Sequence, residues 1–207
     1  MMLADDPRVR LLGSRAGANA YLDEYALSPP LRAWNMQTTV HSRMVLHNPR
    51  GNAAARAFGT DLRMVVPLHG VRRAPLSVQL ESPLRIGPVP FPLLVADEVA
   101  FLAGPHGTHL TDTFWALEDP ELVGRAADAY LAVWHAATPV EELDLPQRLP
   151  DRTFEVALRL IDGLTDREIA AALDVSERTV SAEVSRVVAW TGARSRGHAV
   201  ALLVGAG

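Results

Sequence analysis

The sequence has no cysteine. That excludes disulfides, thiolate zinc clusters and a cysteine nucleophile. Lysine is also absent, so all 20 basic residues are arginine. Schiff-base chemistry and a phosphate-cradling P-loop lysine are thereby excluded. Asp5-Asp6 imitates the acidic pair of a phosphoacceptor domain, but the lysine such a site needs is missing. No apolar run approaches the roughly 18 residues of a membrane span, and Met1 to Arg10 lacks the apolar core of a signal peptide. These absences predict a cytoplasmic protein with no membrane partner. No motif for a cofactor is present, and none is expected. A positive charge excess is lacking too: the net charge is -4.

What is present fits one medium domain and a small one, with 207 residues that are 48% hydrophobic. Thr138 to Pro150 carries three prolines and a run of charge, which reads as a linker. The expected division is a helical N-terminal segment over 1–30, a sensor or dimerisation domain over 31–138, a linker over 139–149 and a small domain over 150–207.

The last segment carries most of the information. Phe154, Ala157, Leu158 and Ile161 fall on one helical face, and Gly163 ends that helix. Thr165-Asp166-Arg167-Glu168 is a capping box, with Ile169, Ala172 and Leu173 as the buried face of the short helix it opens. Ser176 is the next N-cap. From Glu177 to Trp190, Val180, Val184, Val187 and Val188 form a single apolar stripe. Opposite it lie Arg178, Ala182, Ser185, Arg186 and Ala189, flanked by Thr179 and Ser181. A face of arginines, small hydroxyls and alanines is thin enough to enter a major groove and offers guanidinium forks to base edges or phosphates. Ser195 caps a last helix carrying Ala199, Leu202 and Leu203, a small apolar stripe able to meet its copy. Two helices joined by a short turn, the second polar outside, make the helix-turn-helix plan.

Gly163-Leu-Thr-Asp-Arg-Glu-Ile-Ala-Ala-Ala-Leu-Asp-Val-Ser-Glu-Arg-Thr-Val180, followed by Gly192-Ala-Arg-Ser-Arg196, resembles the LuxR/NarL-type helix-turn-helix. The resemblance implies an all-α, four-helix DNA-binding domain that dimerises through its last helix. Carried over by position, it puts Thr165 and Ser176 near phosphates, Arg178 and Thr179 at the groove entrance, and Arg194 near the backbone. With the helix face read above, the DNA-contact set is Thr165, Ser176, Arg178, Thr179, Ser181, Ser185, Arg186, Arg194 and Arg196. The dimer set is Ala199, Leu202 and Leu203. The departures from the family are specific. Ser181 and Trp190 stand where lysine is common, Glu183 where histidine is common, and Thr153 replaces the usual first-helix glutamate. Glu183 reads as an acid near the groove edge. From Asp151 onward, 7 arginines face 8 acids, a balance that disfavours phosphate binding.

The preceding region reads as strands at Leu31–Thr39, Asp61–Pro67, Leu84–Ile86, Phe91–Val95, Val99–Leu102 and Thr113–Leu117. Asp97-Glu98 is a hairpin tip. Pro120 to Ala137 reads as a helix with Val123, Ala127, Tyr130, Trp134 and Ala137 on one stripe. This is an α/β or α+β domain. Gly59–Pro67, Pro92–Leu102 and Ala129–Pro139 resemble the phospholipase D-like domain of TrmB-type regulators. The catalytic His-x-Lys-x4-Asp pattern of that fold is impossible without lysine, so the resemblance implies the fold without the enzyme.

His106-x2-His109-x2-Asp112 offers metal-ligand residue types, but its Gly-rich setting reads as a polar surface loop and no metal is expected. His41 and His47 flank a loop. Trp34, Trp115 and Trp134 read as core, although they could line a ligand pocket. The expected function is a transcriptional regulator with double-stranded DNA as partner. It would act as a homodimer whose first domain senses a small-molecule effector or a protein. The alternative is an interaction module whose helix-turn-helix does not bind DNA alone.

Overall fold

The computed structural model describes residues 6–25, 30–40, 55–79, 83–104 and 113–205. Asp5, His41, His47, His106, His109 and Asp112 lie outside the described residues. The chain divides into two compact units. One comprises residues 1–39, 50–70 and 81–143, and the other 40–49, 71–80 and 144–207.

Among the described residues, the first unit is a mixed eight-stranded sheet in the order β1-β7-β6-β5-β2-β3-β4-β8. Its strands are β1 (Val9–Gly13), β2 (Arg32–Met36), β3 (Asp61–Val66), β4 (Leu84–Ile86), β5 (Leu93–Ala96), β6 (Val99–Gly104), β7 (Thr113–Leu117) and β8 (Thr138–Pro139). β2, β3 and β4 run parallel, and the other pairings are antiparallel. Met64, Val65 and Val66 of β3 are buried in succession, as a central strand covered on both faces requires. β1 corrects the expectation of a wholly helical N-terminal segment. Val9–Gly13 pairs with β7 at the sheet edge, with a register shift between Leu11 and Gly13. Only α1 (Arg15–Tyr25) is helical there. Helix α2 (Leu68–Arg73) follows β3 in the chain. The expected linker is likewise not all linker, because Thr138–Pro139 pairs with β4.

Helix α3 (Pro120–Ala136) starts where Asp119 accepts the Leu122 amide and Pro120 occupies the first turn. It buries Leu122, Val123, Ala126, Ala127 and Tyr130 against Met36, Val65, Leu93, Val95, Ala100 and Leu117 of the sheet. Arg85 closes its other end, donating to the Trp134 and Ala137 carbonyls at 2.9 and 3.2 Å, so a cation meets the negative pole of the helix. Trp34 stacks on Tyr130 and Tyr130 on Trp134, with Arg63 over both tryptophan rings. Trp34 and Trp134 therefore work in packing, as expected. On the opposite sheet face Tyr21 of α1 meets Phe101 edge-on at 5.5 Å. The hairpin tip is confirmed. Asp97 adopts a left-handed φ of 48°, and its carboxylate accepts the Leu31 and Arg32 amides at 2.9 Å each.

The second unit contains α4 (Asp151–Ile161), α5 (Asp166–Leu173), α6 (Glu177–Thr191) and α7 (Arg196–Leu203). Its core joins Val156, Ala157, Leu160, Ile169, Ala170, Val180, Val187, Ala199 and Leu203. Leu76, from the 3-10 turn Pro75–Gln79, belongs to the same core, which the sequence pattern placed with the sheet. Two helix faces are rotated from expectation. In α4 the inward residues are Thr153, Val156, Ala157 and Leu160, while Phe154, Leu158 and Ile161 are only partly buried. In α5, Ala170 turns inward and Ala172 is exposed. Both helices carry more apolar positions than one face holds, so spacing alone leaves the centre of the stripe open.

Candidate nucleic-acid interface

The helix-turn-helix is built from caps. Thr165 accepts the Glu168 amide, and the Glu168 carboxylate accepts the Thr165 amide at 2.7 Å, completing the capping box. Those hydrogen bonds hold the Glu168 carboxyl below its ordinary pKa. Asp174 ends α5 in the left-handed region at φ 51°, the sharp turn that redirects the chain. Ser176 then accepts the Thr179 amide at 3.1 Å and opens α6. Gly192, at φ 66°, closes α6.

Val180 and Val187 are fully buried, and Val184 and Val188 partly so. The opposite face of α6 carries Arg178, Ser181, Ala182, Ser185, Arg186 and Ala189, all exposed. The stripe and its polar opposite therefore lie where the valine spacing puts them. What the side chains do there is more selective. The Ser181 hydroxyl donates to Asp166 at 2.9 Å, and the Ser185 hydroxyl to the Ser181 carbonyl at 2.9 Å. The Thr179 and Ser176 hydroxyls share one hydrogen bond at 2.9 Å. Arg196 is a brace: it pairs with Asp166 and donates to the Leu164 carbonyl at 2.6 Å. Asp166 thereby joins the starts of α5 and α7 to the middle of α6. Arg178 makes no hydrogen bond or ion pair among the described residues, and neither does the Arg194 guanidinium.

Glu183 requires a correction. It is 4% exposed, so it is an internal group and not an acid at the groove edge. Thr153 of α4 donates to it at 2.7 Å and Arg186 at 2.7 Å. Burial pushes the Glu183 carboxyl up, but those two hydrogen bonds and the arginine charge outweigh it, and the pKa falls below the ordinary value. The two departures noted in sequence, Thr153 and Glu183, thus form one contact. Arg186 is half-committed: it is well exposed, yet one nitrogen is tied to Glu183. Trp190 donates its indole N–H to the Gln147 carbonyl at 2.7 Å, fastening the segment before α4.

The dimer set also needs correcting. Ala199 and Leu203 have no exposure and belong to the unit's own core. Leu202 is partly exposed, and Val204, just beyond α7, is 39% exposed. The i, i+4 spacing that suggested a docking stripe is instead the stripe that seats α7 on α6 and α4.

Residues 147–203 match the family described as bacterial regulatory proteins, luxR family, about a quarter of the chain. No curated protein matches the chain. Among solved structures, TrmBL2, described as an archaeal chromatin protein with a novel mode of DNA binding, superposes with a TM-score of 0.51 over 67% of this chain at 14% identity. This chain spans 57% of that protein's length. Nuc of Salmonella typhimurium, a phospholipase D family member, superposes at 0.48 over 63% of this chain and 96% of its own, at 12% identity. NucT from Helicobacter pylori gives 0.48 over 63% and 98%, at 9% identity. The likeness to TrmBL2 is one of fold. No helix among the described residues is long and apolar enough to cross a membrane.

Proposed function

We propose that this chain, with a luxR-family regulatory domain at 147–203, is a transcriptional regulator that lays α6 in the major groove of duplex DNA. One observation carries the reading. Within that domain the second helix of the helix-turn-helix exposes an arginine-bearing face, and its entry residue Arg178 has no partner among the described residues. A guanidinium held at the start of such a helix suits a guanine edge or a phosphate. Arg194 is the second available cation, and Arg186 becomes a third if it leaves Glu183. Thr165, Ser176, Thr179, Ser181 and Ser185 serve mainly to hold the helices, and the helix-start amides they leave unpaired are the donors available to phosphate oxygens. On this reading the protein acts in the cytoplasm as a homodimer, with contacts through Leu202 and the residues around it. The sheet unit senses an effector or a protein partner.

The test is capture of genomic DNA on the purified protein, then anisotropy titration of a recovered site. Arg178→Ala is expected to weaken binding by about 1–3 kcal/mol. Binding that ignores this change, or that shows no preference for the recovered site, overturns the reading. The acidic balance of the domain and the inward commitment of Arg196 favour a second reading, a protein-contact module. It predicts no site-specific DNA capture.

A further inference from the structure

The sheet unit holds a cavity of about 310 Å³ beneath α3. Leu93, Leu102 and Leu117 form its floor on three adjacent strands, and Leu122 and Ala126 its roof. Along α3, Leu122, Arg125, Ala126 and Ala129 follow one another on a single face, so the apolar roof ends in a guanidinium.

The charges around Arg125 are unevenly shared. Asp6, the other charged residue in the lining, is consumed by Arg8. Its two oxygens accept the Arg8 amide at 3.0 Å and the guanidinium at 3.1 and 2.8 Å. Asp119 and Glu121 are also drawn to Arg8, at 3.6 and 3.3 Å. Arg125 is exposed and makes no hydrogen bond among the described residues. A greasy chamber of this size, at the small end of ligand pockets, with one fork of donors that makes no hydrogen bond among the described residues, suits an apolar body and an anionic head. A planar carboxylate matches the guanidinium in two parallel hydrogen bonds. At about 30 Å³ per heavy atom, the space holds on the order of ten non-hydrogen atoms.

We propose that this cavity binds a small amphipathic carboxylate, its apolar tail against the leucines and its head on Arg125. Octanoate has the right size and serves as the probe. Octanol keeps the tail without the charge, and acetate keeps the head without the tail. With the full chain in calorimetry, octanoate is expected to saturate one site with Kd near about 0.1–1 mM, and acetate not to bind. Octanol binds more weakly by about two- to five-fold, since it forgoes a solvent-exposed charge-assisted pair. Arg125→Gln weakens octanoate to the octanol level and leaves octanol unchanged. Ala129→Phe, at a partly exposed lining position that fills the chamber from its rim, weakens both, and circular dichroism checks that each variant stays folded. Equal affinity for octanoate and octanol overturns the proposal, as does octanoate binding that survives both substitutions or no saturable site at all. None of these measurements involves DNA, so their failure leaves the reading of the helical unit standing.

Discussion

Arg178 and Arg186 stand on the same face of α6, yet only one is uncommitted, and the difference lies in Glu183. Spacing alone made Glu183 a groove-edge residue. Its neighbours make it an anchor, because a carboxylate taken out of water must be hydrogen-bonded. Thr153→Val leaves that carboxylate short of a donor and should cost about 1–3 kcal/mol in urea unfolding. The pH dependence follows in sign. The folded pKa of Glu183 is depressed, so its contribution is present above the ordinary value of 4.5 and is lost as pH falls through the folded pKa. Thr153→Val should therefore flatten the acid limb of the stability curve below about pH 4.5, and a limb as steep as that of the parent protein contradicts the Thr153 contact. Glu183→Gln should release Arg186 and tighten DNA binding several-fold in anisotropy, at some cost in stability.

At the scale of the element, three of the four helices of the small unit are defined by their capped starts. The Thr165–Glu168 box, Ser176 and Ser195 each supply an oxygen to an orphan amide. Thr165→Ala should lower stability by about 1 kcal/mol, read as a lower urea midpoint with unchanged slope. Gly192→Ala meets no atom within 4 Å but must hold φ 66°. Its cost of about 1–2 kcal/mol comes from the backbone alone. Asp166 is the element-level hub, since Ser181 and Arg196 both reach it. Arg196→Ala should therefore show its effect in stability before it shows one in DNA binding. A large affinity loss with unchanged stability would return Arg196 to the DNA-contact set.

For the whole molecule the net charge is -4, so attraction to DNA cannot come from the total. It has to come from a few cations in place. If Arg178, Arg186 and Arg194 of two copies each neutralise a phosphate, the slope of log K against log salt is about -5. A single copy gives about half that. A titration series over salt concentration thus reports the total number of phosphate contacts in the complex. A slope near zero alongside tight binding would mean that these arginines are not at phosphates.

Much of the architecture could be read from residue order. Local signals carry their physics within a few residues. Caps, the valine stripe of α6 and the strands β4 to β7 all appeared at or near their predicted positions. The absence of lysine and cysteine set chemical limits that no fold could lift. What needed the tertiary structure were choices between equivalent local options. Spacing cannot say which of several apolar residues in α4 and α5 turn inward. It cannot say that Ala199 and Leu203 face their own core, or that a short N-terminal strand joins β7. It also could not reveal that Thr153 and Glu183 meet, or that Arg8 takes the hydrogen bonds of Asp6 and leaves Arg125 with none among the described residues. Those outcomes depend on which distant groups arrive at the same place, and a buried charge or a free cation is defined by its neighbours in space.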